Sequence, residues 1–351
     1  MNNFRALKYL MTFTGPLVGI VALTSYGWLT FLPLLYVFAL VPVLEFFFPA
    51  STYNMSKMEE EVAKNDRLYD FVIYAFVPVQ YGFLLLFLLT INDPALTTFD
   101  LTGRIVSMGI MCGALGINIA HELGHRKTWY EQLMSKALLL SSLYMHFFIE
   151  HNRGHHKNVS TPEDPASSRY GEIIYTFYLR SVYGSYMSAW HLESSRLRKE
   201  GKAILSVHNE MLWYHLIQIA FVAAIYFVFG TLACLAFVIA AIIGFLLLET
   251  VNYIEHYGLQ REQKGERYER VKPHHSWNSN HLIGRLLLFE LSRHSDHHYI
   301  SSRKYQVLRH HENSPQMPTG YPGMMVLSLF PPLWFMVMHP HIKKLKAQKV
   351  I

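Results

Sequence analysis

Apolar positions in this chain come in long unbroken runs rather than at helical or alternating spacing. A membrane-crossing helix needs roughly 20 apolar residues, and six runs approach that length: about 10–28, 32–48, 69–91, 105–120, 211–230 and 231–251. The last two form a tight pair, and the joining Gly230-Thr231 suits a sharp turn. Two further runs, 133–148 and 324–338, are short for a span, and the second contains Pro331-Pro332; both are expected to lie in the interface or to re-enter. The polar remainder is expected to cap one face. The chain thus reads as a single all-α integral membrane domain over 1–351, with six transmembrane helices and a cytoplasmic histidine-rich cap from 121–210 and 252–351. The first run is long and lacks a small-residue cleavage site, so no cleavable signal peptide is expected.

Charge supplies the orientation. Charged residues are 16% of the chain and apolar residues 51%, against roughly 25% charged in an ordinary soluble domain. Basic residues are retained on the cytoplasmic side. With the N-terminus inside, the outer segments are the first turn, residues 92–104 and the turn at Gly230; of 31 Lys and Arg they hold only Arg104. Both termini and the cap are therefore expected in the cytoplasm. Cys112 and Cys234 lie inside apolar runs without metal-type spacing and read as small buried hydrophobes. Nothing points to a nucleic-acid partner.

Histidine is grouped on that topology. "HELGH" places His121 and His125 at the inner end of the fourth run, at an i, i+4 spacing that puts both on one helix face. "EHNRGHH" places His151 and His155 at the same spacing, with His156 beside them. "HSDHH" gives His294, His297 and His298, and "NYIEHYG" puts His256 just past the inner end of the sixth run. All nine fall at one membrane face, where spans delivered in parallel converge as in bundle metal sites. Imidazole suits iron, zinc, copper and nickel, and nine ligands exceed the needs of one ion. A zinc-protease reading of "HELGH" leaves the other clusters unexplained. A metal transporter needs ionisable residues along a mid-membrane path, and the first four runs hold almost none; Glu45 lies near the end of the second. The ungrouped His146, His191, His208, His215, His339 and His341 read as ordinary polar residues, as do the adjacent pairs His274-His275 and His310-His311.

Four carboxylates interleave with these ligands: Glu122, Glu150, Glu255 and Asp296. They are expected to accept the ring N–H groups of the ligands and fix their tautomers. Asn252, at i−4 from His256, is a further expected partner.

The clusters resemble the histidine boxes of the integral-membrane di-iron family, which includes fatty-acid desaturases and membrane hydroxylases. The segments "EHNRGHHKNVSTPEDPASS", "NYIEHYGL", "HSWNS" and "RHSDHH" are similar to the bacterial alkane 1-monooxygenase pattern. There are departures: Arg126 stands before Lys127 where the first box runs His-Lys, and Ser292 and Tyr299 flank the last box in place of Gln and Ala. None touches a ligand. The resemblance implies two non-haem iron ions held by His121, His125, His151, His155, His156, His256, His294, His297 and His298. It implies hydroxylation of the terminal methyl of an n-alkane by dioxygen, in a bacterial inner membrane. A desaturase or a xylene-type aryl-methyl hydroxylase remains the alternative. The chain shows no flavin, nicotinamide or haem signature and no cysteine set for an iron–sulfur centre, so electrons must come from another protein. The resemblance implies rubredoxin, served by an NAD(P)H-dependent rubredoxin reductase. From Tyr257 onward the chain carries 14 Lys/Arg against 6 Asp/Glu, which suits an acidic donor; the basic tail from Lys343 suits anionic lipid. A linear alkane has no polar handle, so its site must be an apolar slot, which aromatic residues of the first three spans are expected to line.

Overall fold

The computed structural model describes residues 5–348 and 351. It is mostly helical; the described residues contain one two-stranded antiparallel ribbon, Gln263–Lys264 against Arg267–Tyr268. Among the described residues, five helices are long and apolar enough to cross a membrane: Arg5–Thr24, Gly27–Phe47, Arg67–Thr90, Thr98–Gly124 and Glu210–His256. The last has 47 residues and is broken at Gly230, whose φ of 86° and ψ of 179° suit glycine. Its arms fold back on each other: the rings of Phe221 and Phe237 lie 5.6 Å apart, and Cys234 Sγ is 3.9 Å from the Val222 carbonyl.

Local chemistry moves two boundaries away from where hydropathy alone places them. The first helix stops at Thr24, not near Trp28, because Gly27 turns at φ 65° and donates its N–H to Asp100 Oδ1 at 2.5 Å. Apolar residues lie on both sides of that turn, so the run itself gives no sign of it. The fourth helix starts at Thr98 rather than near 105. Thr97 and Asp100 form a capping box there, and the buried Arg104 guanidinium donates to the carbonyls of Thr90 (2.7 Å) and Ser25 (2.9 Å). With Asn92 donating to the Phe229 carbonyl at 2.7 Å, these contacts gather the helix ends remote from the histidines.

Thr98–Gly124 forms the middle of the bundle. Glycines let it approach the second arm of the long helix closely: a Cβ added at Gly109 would lie 2.5 Å from Ile243, and one at Gly244 would lie 2.6 Å from Cys112. Each of the two shorter apolar runs is divided between two helices. The first is split between Trp129–Leu140 and Phe147–Glu150, with Leu143 at φ 52° between them. The second becomes two helices, Tyr321–Ser328 and Pro331–Ala347. Pro331 begins the latter, where its missing N–H leaves no bond unmade, so the proline pair starts a helix instead of interrupting one. In the basic tail, Lys349 lies outside the described residues.

Candidate metal centre

The nine clustered histidines meet at one end of the bundle in two groups. His121, His125, His151, His156 and His297 form one; His155, His256, His294 and His298 form the other; within each, the ligand nitrogens lie within 4.8 Å of one another. Their Nε2 atoms face each other in series: His125 to His151 at 3.0 Å, His151 to His156 at 3.1 Å, His156 to His297 at 3.1 Å, and His256 to His294 at 3.3 Å. His151 Nε2 faces two such atoms at once, which one shared proton cannot satisfy. Further ring nitrogens, including His121 Nε2, His155 Nε2 and both nitrogens of His298, are buried without a hydrogen-bond partner. Such orphaned groups are costly. Nitrogens about 2.1 Å from one metal ion, set at right angles, are roughly 3 Å apart, so the spacing fits two coordination spheres. Burial, reinforced by neighbouring imidazoles, holds His125, His151, His156, His294, His297 and His298 well below the usual histidine range. They are therefore neutral, as ligands must be.

Backbone geometry sorts the ligands between the groups. His121 and His125 share a group, as i, i+4 spacing on Thr98–Gly124 and the residue after it requires. His151 and His155 do not. The segment His151–His155 is a π-helix, whose bonds run i to i+5, so His151 shares its group with His156 and His155 turns to the other. The expected shared face for His151 and His155 is thus corrected. The last box divides in the same way on His294–Tyr299: His294 and His298 go to one group and His297 to the other.

The expected acids mostly bond elsewhere. Glu122 accepts from Arg126 at 2.6 Å and from the Tyr305 N–H. Asp296 accepts from Arg303 and His311, each at 2.6 Å, and from the Arg309 N–H. Glu150 meets Ser188 at 3.4 Å, and Asn252 donates to Glu249. Only Glu255 reaches a box imidazole: its Oε2 lies 3.1 Å from His294 Nε2, on the side facing His256, and its Oε1 is buried and unpartnered. The acid behind a ligand is one that sequence reading passed over, Asp164. Its Oδ2 lies 2.9 Å from His155 Nδ1 and also accepts from Ser167 at 2.6 Å. Burial opposes charge on both, but their mutual attraction wins: His155 is raised and Asp164 lowered from their ordinary values. The only signal for Asp164 was its place in "STPEDPASS".

The "HSWNS" segment brackets the second group. Trp277, fully buried, donates its backbone N–H to the Glu255 carbonyl (2.8 Å) and its indole Nε1–H to the Tyr257 carbonyl (2.9 Å), one on each side of His256. Ser160 donates to the His275 carbonyl at 2.6 Å, and Ser295 to the Ser276 carbonyl at 2.7 Å. One short segment therefore ties together the chain after the second box, the end of the long helix and the last box.

A cavity runs from these groups into the bundle. His121, His151, His294 and Glu255 lie at one end, and Gly15, Tyr36, Phe38 and Ile110 are among its apolar lining. The three π-helical segments among the described residues, Tyr36–Leu40, Cys112–Ile117 and His151–His155, contribute to its wall. The second helix supplies aromatics, as expected, whereas the first supplies Thr12 and Gly15 and no aromatic. The third supplies no lining residue among those described, and the fourth, the long helix and residues 284–325 supply much of the rest.

The other histidines are engaged differently. Glu269, His274 and His275 come close enough to hold an ion, but His275 accepts from the Lys272 N–H at Nδ1 and meets Glu269 at Nε2, while Lys272 Nζ holds the other Glu269 oxygen at 2.5 Å. His215 bonds the Met211 carbonyl and Tyr186; His310 meets Asn280.

A model of the fatty acid desaturase family matches residues 97–328, a range that holds all nine histidines. The chain is 41% identical to alkane 1-monooxygenase 1 of Alcanivorax borkumensis over 91% of its own length and 80% of that protein. It is 42% identical to alkane 1-monooxygenase 2 of Pseudomonas aeruginosa, over 88% and 82%, and 48% identical to alkane 1-monooxygenase 1 of the same organism, over 69% and 63%. Long apolar helices, a histidine-rich centre and these likenesses agree: the chain belongs to the fatty acid desaturase family, among the alkane 1-monooxygenases, a group of membrane di-iron oxidoreductases.

Proposed function

We propose that this protein hydroxylates the terminal methyl group of medium- and long-chain n-alkanes. Alkane, dioxygen, two electrons and two protons give 1-alkanol and water. The observation that carries this reading is an apolar cavity that ends on two groups of converging imidazoles. The nine histidines would hold two iron ions, five nitrogens for one and four for the other, and the ions supply the activation of dioxygen that no side chain can perform.

The chain's own residues do the rest. The cavity wall excludes water and offers an alkane only dispersion contacts, so the substrate is held by shape. From Ile110 to His121 the wall rises about 16 Å along one helix, which limits how far a chain can slide past the centre and favours its end carbon. Glu255 stands where cavity and imidazoles meet, and its carboxylate is the group that would hold a proton there. Asp164 fixes the tautomer of His155 by accepting from Nδ1, leaving Nε2 for the ion.

We infer six spans, the arms either side of Gly230 crossing separately, with the histidine end and both termini on the cytoplasmic side of a bacterial inner membrane. The fold-back of those arms and the near absence of basic residues at the remote end support this. Rubredoxin, reduced through an NAD(P)H-dependent reductase, is the proposed electron donor.

The test is iron quantification on the purified protein with product analysis on octane, hexadecane, xylene and an acyl substrate, using rubredoxin and its reductase. About two irons per chain and a terminal alcohol are expected. Activity with zinc alone, an unsaturated acyl product, or a benzylic alcohol with no alkane turnover would each overturn the proposal.

A further inference from the structure

The helix Ile174–Lys199 falls in the stretch whose sequence reads as water-facing cap, yet its outer surface is not built for water. Its buried side carries Ile174, Phe177, Ser181, Ser185 and Ala189 and packs across both arms of the long helix, close to their histidine-side ends. Tyr178 bonds Thr250 at 2.6 Å, Ser181 donates to Glu249 at 2.5 Å, and Tyr186 meets His215 at 2.9 Å. The opposite side exposes Tyr175 (52%), Leu179 (77%), Tyr183 (69%) and Met187 (46%). These recur every fourth residue and form one stripe. From Ile173 to Met187 the only other exposed position besides Ile173 is Thr176. Arg180, the one charge in that stretch, turns away to Glu172 and to the carbonyls of Pro165 and Ser167. Charge returns to the surface only at Arg198, Lys199 and Glu200.

A helix facing water carries charged or polar residues on its outer side, and a contiguous exposed apolar patch marks a contact. We propose that the half of this helix up to Met187 lies in the bilayer, at the boundary between headgroups and acyl chains in the leaflet next to the histidine end. Two observations select lipid over protein as the occupant. Leu179 and Tyr183 of the stripe line one recess with Tyr214, His215 and Gln218 of the first arm and Phe245 and Leu246 of the second, so the stripe adjoins a helix long and apolar enough to cross a membrane. Its aromatics are tyrosines, which suit a depth with an apolar side and a wet side. Through Ser188 and Ser181 the same helix touches Glu150 and Glu249 beside the metal centre, so the bilayer surface is mechanically joined to the centre's flank.

The experiment places single cysteines at Leu179→Cys, Tyr183→Cys and Arg198→Cys in the full-length protein, labelled with an environment-sensitive fluorophore in nanodiscs. The native Cys112 and Cys234 are buried, and an unsubstituted control measures any background from them. A single symmetric elution peak and an unchanged helical circular-dichroism spectrum certify each variant's fold, so neither control nor readout depends on the proposed reaction. Labels at 179 and 183 should be quenched severalfold more by lipids brominated on their acyl chains than the label at 198, which should instead respond to aqueous iodide. Iodide quenching at 179 and 183 equal to that at 198 would overturn the proposal. So would shielding of both from bromolipid and iodide alike, which would mean that a second copy or another protein covers the stripe.

Discussion

His256 Nε2 lies 3.3 Å from His294 Nε2, inside a group of four converging imidazoles, although His256 stands alone in the chain. On the proposed reading, His256→Ala removes one of four ligands from the second ion. Iron should fall from about two towards one per chain, and turnover should be largely lost, while the protein still inserts. His215→Ala is the control, since both its ring nitrogens already bond Met211 and Tyr186. Full iron and full turnover in His256→Ala would refute the nine-ligand model. Asp164 yields a graded version of the same argument. Asp164→Asn keeps the shape but weakens the fixing of His155, and should cost roughly 10- to 100-fold in metal affinity or activity; competition with a chelator reads the affinity directly. The two histidine groups were legible in sequence because histidine is conspicuous when clustered. The acids behind them were not, because neighbours in a helix project about 100° apart. Glu122 and Asp296 sit beside ligands in sequence and therefore point away from them, to Arg126 and to Arg303, whereas Asp164 reaches His155 across a turn.

Among the elements, apolar run length gave away the long helices, but their ends depend on single groups: Gly27 on Asp100, and Arg104 on the carbonyls of Thr90 and Ser25. The π-helix at His151–His155 was hidden for a related reason. Its sequence fits an α-helix equally well, and only the tertiary need to aim consecutive imidazoles at two centres distinguishes the two. The "HSWNS" segment shows how a loop enforces that aim. Trp277→Phe preserves the backbone bond to Glu255 and most of the packing but deletes the indole bond to the Tyr257 carbonyl. Losing one buried hydrogen bond costs about 1–3 kcal/mol. The expected outcome is weaker iron binding at the group containing His256, with the five-histidine group retained. Mössbauer spectra of the iron-57 protein should show one of two iron signals broadened or diminished. Two unchanged signals at full occupancy would show that the bracket is packing only.

At the scale of the whole molecule, the chain separates its tasks by depth. The remote end holds the bundle's turns, the middle the apolar cavity, and the other end the imidazoles with most of the charge. The net charge is +6. In the chain between His256 and the last histidine box, the exposed Arg267, Arg270 and Lys272 stand on or just after the two-stranded ribbon. The same backbone continues to Trp277, which grips both sides of His256. An acidic donor seated on the ribbon would therefore be a few residues of chain from the second histidine group. Exposed charges are screened beyond roughly 10 Å at 0.1 M salt, and attraction between opposed patches acts mainly on encounter. On the proposal that rubredoxin is the donor, its apparent KM should accordingly rise with salt. Charge reversal at Arg267 and Arg270 should raise it severalfold at low salt, with kcat at saturating rubredoxin little changed. Lys272→Glu is a less clean probe, because Lys272 already pairs with Glu269 and reversing it sets two carboxylates together. The same variants should keep their iron, since none of these side chains belongs to either histidine group. A KM that ignores both salt and charge reversal would move the donor's seat to an apolar part of this face.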